Sequence, residues 1–405
     1  MDALDILTDL ENVIPYFQAI FSADEHRVIG YEVLGRYNGQ DGAESLGDFF
    51  ADEGIPDEYK LEVDQVILTK ALDKALSLDE DVLLFINRDA EMLMKDDGEA
   101  FLDTLLEYEG KGIKLNRIVL ELSERNYQGQ FDHLDHLLIY YRTYGIKIAI
   151  DKMGSDSSYL DRLSDLGPDI LKIDLLALRS TSTSHTYQDV LYSLSMLARK
   201  IGATLLFENI EMVYQLQFAW KNGGRFYQGY YLHYPEENFV ERNSRKETLR
   251  NMFHEFILSE KKKLATIYDL TEEFQGQLQA LLVKYKKYSS YEELLKLLSA
   301  ELTEAAFRMY VCDEDGFQKS ANIIKYENDW LIQSEYAHKN WSWRPYFLEN
   351  IMKMRNEKKG ILSDLYSDIE TGETVRTYSY PLNSKEYLFI DLSYNYLDRM
   401  KLLLP

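Results

Sequence analysis

Seven short apolar runs in the first 235 residues each end on a carboxylate, an amide or a lysine. They are IGYEVLGR, carrying Glu32 and Arg36; VLLFIN, ending at Asn87; RIVLELSE, with Glu121 and Glu124; IKIAID, ending at Asp151; DILKID, with Lys172 and Asp174; TLLFENIE, with Glu208 and Glu211; and RFYQGYY, with Gln228. Oxygen donors of this kind suit a hard divalent cation such as Mg²⁺, Mn²⁺ or Ca²⁺. Glu32, Asn87, Glu121 and Asp151 are the four positions that could converge on one ion, with Glu208 approaching from the far side and Asp151 placed to bridge toward it. Two ions about 3.5–4 Å apart would clamp a phosphodiester and activate a water for in-line attack. Lys172 would stand beside that water or a phosphate oxygen, and Arg36 offers a bidentate grip on a second phosphate.

Each of these residues has a plainer reading when taken alone. An acid ending a strand is usually a helix cap or a surface charge, and a lone Asn is usually a turn residue. Asp174 and Glu124 on their own would be loop anchors. Their ordered appearance on successive runs is what points to one site.

Runs of four to eight Ile-, Val- and Leu-rich residues suit strands buried on both faces. A parallel β/α barrel places its chemistry at the C-terminal ends of such strands. IPYFQAIFS and RVIGYEVLGRY flank the short polar stretch ADEH and read as a β-hairpin. From there strands alternate with helices expected near 58–77, 97–110, 130–144, 186–201 and 210–221. The expectation is an α/β fold, a TIM-type (β/α)8 barrel whose first hairpin is antiparallel.

The chain has 405 residues, 45% of them hydrophobic, which allows a sizeable core and more than one domain. A formal charge of −24 argues against binding a nucleic-acid polymer, which wants a basic face. A small anionic ligand is compatible with it, because a divalent cation inverts the local field of a carboxylate cluster. The single cysteine, Cys312, excludes a disulfide framework and reads as a buried thiol. MDALDILTDLENVIPYF lacks a basic leader region, and no run approaches the length of a membrane span. A cytoplasmic protein is expected. His133 and His136, three apart on a helix, read as surface residues.

Beyond Pro235 the character changes. Residues 240–286 are highly charged, with Leu249, Phe253, Phe256, Phe274 and Leu278 among apolar groups at helix-like spacing. From about 290 a helix (EELLKLLSAEL) leads into FRMYVCDEDG, NIIKYENDWLI, GILSDLYSDIETGETVRTYSYPL and YLFIDLSY, strand-forming stretches with turns at DEDG and ETGE. The organisation read from this is a barrel over 1–239, a helical linker over 240–289, and a smaller α+β domain on an antiparallel sheet over 290–405. In the last, Arg344 lies among Trp341, Trp343, Tyr346 and Phe347, an arrangement suited either to a small ligand, with Tyr366, Asp368 and Tyr380 as further lining, or equally to an aromatic helix face packing on the sheet.

In their order along the chain, the polar residues of the barrel resemble the EAL-domain family of cyclic di-GMP phosphodiesterases and receptors. The signature Glu-Ala-Leu stands here as Glu32-Val33-Leu34, followed by Gly35-Arg36. The family's next Asn matches Asn87, its Glu-x-Thr-Glu matches Glu121 to Glu124, and its Lys-Ile-Asp is Lys172-Ile173-Asp174. Its Glu-Gly-Val-Glu is Glu208-Asn209-Ile210-Glu211, and its Gln-Gly-Tyr is Gln228-Gly229-Tyr230. The resemblance implies Glu32, Asn87, Glu121 and Asp151 as cation ligands. It implies Lys172, Glu208 and Glu124 as catalytic groups, and Arg36, Glu211 and Gln228 as substrate contacts. It also implies cyclic di-GMP as partner and a homodimer. The tail is similar to the PAS/Cache-like domain that accompanies some EAL barrels.

One departure stands out. Active members of the family carry Asp-Asp-Phe-Gly after the fifth β/α strand, and the second Asp holds the second ion. Here the run is Asp151-Lys152-Met153-Gly154, and the loop that normally follows is replaced by Ser155 to Leu160. Replacing an acid by Lys152 removes an anionic ligand and adds a cation. The expectation is that binding survives and hydrolysis is weak or absent, the alternative being a working phosphodiesterase regulated by the tail. Tyr230 and Tyr234 are candidates to stack on a base.

Overall fold

The computed structural model describes residues 3–39, 42–123, 127, 129–153, 166–179, 185–327, 329–344 and 347–400, without the side chains of 123, 151–153, 177, 179 and 185–188. Two compact units divide the chain, Met1–Phe256 and Ile257–Pro405.

In the first unit eight strands close into a barrel. They are β1 (Val13–Ser22), β2 (Val28–Gly39), β4 (Leu83–Asp89), β5 (Ile118–Ser123), β6 (Lys147–Met153), β7 (Ile170–Asp174), β8 (Thr204–Glu208) and β9 (Phe226–Tyr227), with the short β3 (Gly42–Ser45) added to β2. β1 runs antiparallel to both its neighbours, β2 and β9. From β2 through β9 the remaining neighbours are parallel. The antiparallel first hairpin expected from ADEH is therefore present. Helices Asp57–Ala75, Glu99–Gly110, Phe131–Thr143, His185–Ile201 and Val213–Lys221 supply the crossovers. They fall within a few residues of the positions read from apolar spacing.

The barrel interior is filled by one apolar layer to which seven strands contribute: Ile20, Ile29, Phe85, Val119, Ala149, Ile170 and Leu206. Side chains two apart on a strand share a face. The next inward position after this layer is Asn87 on β4, Glu121 on β5, Lys172 on β7 and Glu208 on β8. The apolar plug thus sets a floor, and the polar residues lie one step above it. On β2 the count is offset, because the register with β1 jumps from Ile20↔Gly30 to Phe21↔Val28. Ile29 is the extra residue of this bulge. Beside it Gly30 lets β2 lie close against β4, since a Cβ there would come within about 3 Å of Leu83 and Phe85. Glu32 pairs with Phe85 and so faces inward with it.

Helix Lys246–Lys284 is one continuous element of 39 residues. Leu249, Phe253 and Phe256 of its first turns belong to the first unit's core, and Phe274 and Leu278 to the core of the second. Among the described residues no helix is long and apolar enough to cross a membrane.

The second unit is built on an antiparallel sheet, ordered β12 (Asp329–Gln333), β11 (Asn322–Tyr326), β10 (Ala306–Asp313), β16 (Glu386–Leu392), β15 (Thr374–Pro381), β13 (Ile361–Leu362), with β14 (Tyr366–Ser367) on β15. NIIKYENDWLI is a hairpin rather than a single strand. Helix Tyr291–Glu301 packs on one face, and helix Phe347–Glu357 contributes Phe347, Ile351 and Met354 to the other. On that second face Arg308 is buried and ion-paired with Asp368, Asp391 (2.6 Å) and Glu370 (3.2 Å). Thr377 donates to Asp391 at 2.6 Å and shares a 2.7 Å hydrogen bond with Tyr366. Arg344 stacks over Trp341, 4.5 Å from the ring centroid. Tyr380 packs with the opposite face of the sheet, so it does not share a surface with Tyr366 and Asp368 as the sequence suggested. Tyr346 lies outside the described residues. Cys312 is fully buried, and burial pushes its thiol pKa well up.

Removing the Arg308 guanidinium would leave Asp368 and Asp391 buried without their counter-ion. Arg308→Met is expected to destabilise the fold by about 3–5 kcal/mol, measured by denaturant unfolding. Burial raises the Asp368 pKa, but the Arg308 hydrogen bond and charge outweigh it and hold the carboxyl below its ordinary value. This contribution is therefore complete above the unfolded carboxylate pKa of about 4 and is lost as pH falls through the lower folded value. The acid limb of the stability profile should flatten in Arg308→Met.

Candidate functional site

At the centre of the barrel mouth the Lys172 ammonium lies 2.8 Å from Glu121, 3.1 Å from Glu32 and 3.3 Å from Glu208. Lys172 is 1% exposed and Glu121 is equally buried; Glu32 and Glu208 are buried with them. A second layer of contacts fixes Glu32. Asn87 donates to its Oε1 at 2.9 Å and Gln228 to its Oε2 at 2.6 Å, while Gln228 also donates to Gln18 at 3.1 Å. Burial alone would raise the Glu32 pKa. The Lys172 charge and the hydrogen bonds from Asn87, Gln228 and Lys172 overcome this and hold it below the ordinary carboxylate value.

These groups open into one cavity of about 960 Å³, lined among others by Glu32, Arg36, Asn87, Lys172, Glu208 and Gln228. Arg36 is half-buried, donates to Ser45 at 3.2 Å and lies 5.8 Å from the Tyr16 ring. Glu211 is half-buried after β8; its backbone N–H donates to Gln215 at 2.7 Å, and it does not line this cavity. Glu124 and the loop 155–160 lie outside the described residues, as do the side chains of Asp151 and Lys152. Asp174 accepts from the Leu176 N–H (2.7 Å) and from Asn209 (2.9 Å), the loop anchor that its isolated reading suggested. His133 and His136 are exposed. Tyr230 and Tyr234 are exposed and stacked on each other, 4.7 Å between centroids.

Two backbone features position the ends of β8 and β9. Asn209 has φ +56°, a left-handed conformation that Asn tolerates better than most residues after Gly. Gly229 has φ +152°, and a Cβ there would come within 2.2 Å of the Ile210 carbonyl oxygen. The backbone of Ile210 pairs with Gln228 and Tyr231, so no side chain fits between the two loops.

The sequence reading missed one side of the cavity wall. One stripe of helix Asp57–Ala75, with Asp57, Lys60, Asp64 and Ile67, lines it together with Arg88. Asp64 is held by Arg88 at 2.9 Å, and the same guanidinium packs 4.7 Å from the Phe101 ring. A polar residue on a helix looks the same in sequence whether it faces solvent or a cavity. The only signal was that Arg88 follows Asn87 directly at a strand end.

A divalent cation fits the chemistry here. Three carboxylates around one ammonium leave two negative charges. The hydrogen bond from the Asn87 amide nitrogen leaves its carbonyl oxygen turned to other partners, as a ligand atom for a cation. Among the described residues no three acids stand as a ready cage by themselves, the acids being gathered on Lys172.

The EAL domain model matches residues 2–235. The chain belongs to the EAL-domain family. Residues 239–403 match the EAL-domain associated signalling protein domain. The chain is 56% identical to the uncharacterized EAL-domain containing protein YkuI of Bacillus subtilis over 399 residues, 98% of each chain. The crystal structure of that protein, in complex with substrate c-di-GMP and calcium, superposes with a TM-score of 0.94 at 55% identity, covering 98% of both chains. A probable cyclic di-GMP phosphodiesterase of Escherichia coli, PdeG, is 25% identical over 228 residues, 55% of this chain and 44% of that protein.

Gly229→Ala should destabilise the barrel by about 3 kcal/mol through strain and overlap with Ile210, and should displace Gln228 from Glu32. Thermal unfolding measures the first effect. A crystal structure of the variant measures the second.

Proposed function

We propose that this chain is a receptor for cyclic di-GMP, holding the nucleotide through a divalent cation and hydrolysing it weakly or not at all. The observation that carries the reading is the convergence of Glu32, Asn87, Arg36, Lys172 and Glu208 on one cavity, with Glu121 ion-paired to Lys172. Its volume lies within the range of about 300–1,000 Å³ usual for small-molecule sites. In this reading Glu32, Glu121 and Asp151, with the Asn87 carbonyl, hold the cation. Once bound, the cation supplies charge neutralisation and polarises a phosphate oxygen. Arg36 takes a phosphate oxygen, Gln228 keeps Glu32 oriented, and Glu211 steadies the loop beside the substrate. Glu208 and Lys172 complete the charge balance.

The wall that carries Asp64 suits a guanine edge. Guanine presents adjacent N1–H and N2–H donors, and a carboxylate supplies two acceptor oxygens in matching order. Asp64 is held in place for this by Arg88, whereas adenine would set an acceptor against it. Asp64→Ala should weaken cyclic di-GMP binding by about tenfold or more, read by calorimetry, the usual cost of a lost hydrogen bond to a charged group.

Lys152 accounts for the weak hydrolysis. A cation where the family places an acid deprives a second metal ion of its anionic ligand. It also repels that ion by several kcal/mol, about 4 kcal/mol for each pair of unit charges at 4 Å in a surface-like dielectric. The similarity to YkuI, whose complex contains c-di-GMP and calcium, supports nucleotide binding together with a divalent cation. Incubation with cyclic di-GMP and Mg²⁺ or Mn²⁺ should give no multiple turnovers to linear pGpG within minutes. Lys152→Asp should raise the rate at least about tenfold. Rapid turnover by the unaltered protein would make it a working phosphodiesterase instead. We further propose a homodimer, for which light scattering should give twice the chain mass.

A further inference from the structure

Lys172 occupies the same carboxylates that a bound cation would use. It projects from β7 into the barrel, where an isolated buried ammonium would be strongly disfavoured. An ammonium carries three N–H donors and no acceptor. Among the described residues Lys172 meets three carboxylates, at 2.8, 3.1 and 3.3 Å, which gives each of its donors an acceptor. The oxygens it takes on Glu32 and Glu121 are the Oε2 atoms. The same two residues are the ones the cation-binding reading needs.

A divalent ion sits about 2.0–2.6 Å from its ligand oxygens. An ammonium sharing those oxygens would stand within a few ångströms of it, and two cations at that distance in a buried site repel. Both cannot keep the same oxygens. Glu208 offers Lys172 a carboxylate that the cation does not require. The stem of four methylenes allows the head group to shift toward it.

We propose that Lys172 is a positioning residue that acts as a built-in counter-ion. Its ammonium holds Glu32, Glu121 and Glu208 together before loading, and cedes Glu32 and Glu121 to the incoming divalent cation. The inference rests on the divalent-cation reading above, and it adds that the protein's own lysine competes with the metal. The cage is thereby preformed, at the expense of metal affinity.

The test uses the full chain labelled with [13Cε]lysine, the Lys172 signal being assigned by its loss in Lys172→Arg. Titration with Ca²⁺ should move that signal, with a midpoint matching Ca²⁺ affinity measured by calorimetry. In parallel, Lys172→Met should bind Mn²⁺ at least about tenfold more tightly by electron paramagnetic resonance. Its unfolding temperature should fall without metal and rise on adding Mn²⁺ by more than in the unaltered protein. If Lys172→Met does not fold without Mn²⁺, the Ca²⁺ titration of the unaltered chain decides. A Lys172 signal unmoved at Ca²⁺ saturation, or Mn²⁺ affinity unchanged or weakened in Lys172→Met, would overturn the inference alone. Failure of the unaltered chain to bind either ion would overturn it together with the cation reading. Neither readout involves the nucleotide.

Discussion

The ammonium of Lys172 sits among three buried carboxylates, and the rest of the barrel mouth is arranged around that contact. Without it Glu32, Glu121 and Glu208 would face one another in a space that excludes most water, each raising the others' proton affinity. With it, Glu32 remains a carboxylate below its ordinary pKa, and Asn87 and Gln228 have an anion to orient. Two negative charges still remain over the three acids and one lysine. That residue of charge suits a divalent cation, and in the proposed reading such a cation reconciles so acidic a chain with an anionic nucleotide.

The strand period explains how so few residues set this up. An apolar layer from Ile20 to Leu206 plugs the barrel, and the next inward step on β4, β5, β7 and β8 delivers Asn87, Glu121, Lys172 and Glu208 to one level. That regularity was legible in the sequence, because each apolar run ended on its polar residue. The helices were legible for the same reason, their apolar spacing at 3.6 marking them within a few positions. On β2 the run IGYEVLGR shows that Glu32 follows an apolar stretch, but not that Ile29 is a bulge residue placing Glu32 in step with Phe85.

Other parts left no local trace. Asp64 looks like any charge on an amphipathic helix, and its placement on the cavity depends on how helix Asp57–Ala75 packs against the barrel. The Arg308 network joins residues about 60 to 83 positions apart, and nothing local in the sequence links Arg308, Glu370 and Asp391 to Asp368, which reads as part of a ligand pocket. NIIKYENDWLI passed for one strand because its turn, at Glu327 with φ +53°, contains neither Gly nor Pro. The position on which the proposed lack of hydrolysis rests is the reverse case. Lys152 is conspicuous in the sequence, as a base in a row of acids.

The central claim is that this site grips its nucleotide through a single divalent ion assembled on Glu32, Asn87, Glu121 and Asp151. Calorimetric titration with cyclic di-GMP, run with Ca²⁺ and again with chelator, addresses it most directly. Stoichiometric binding that weakens at least about a hundredfold, close to 2.7 kcal/mol, when the cation is removed is the expected result. Equal affinity with and without the cation, or no binding in either, would contradict it.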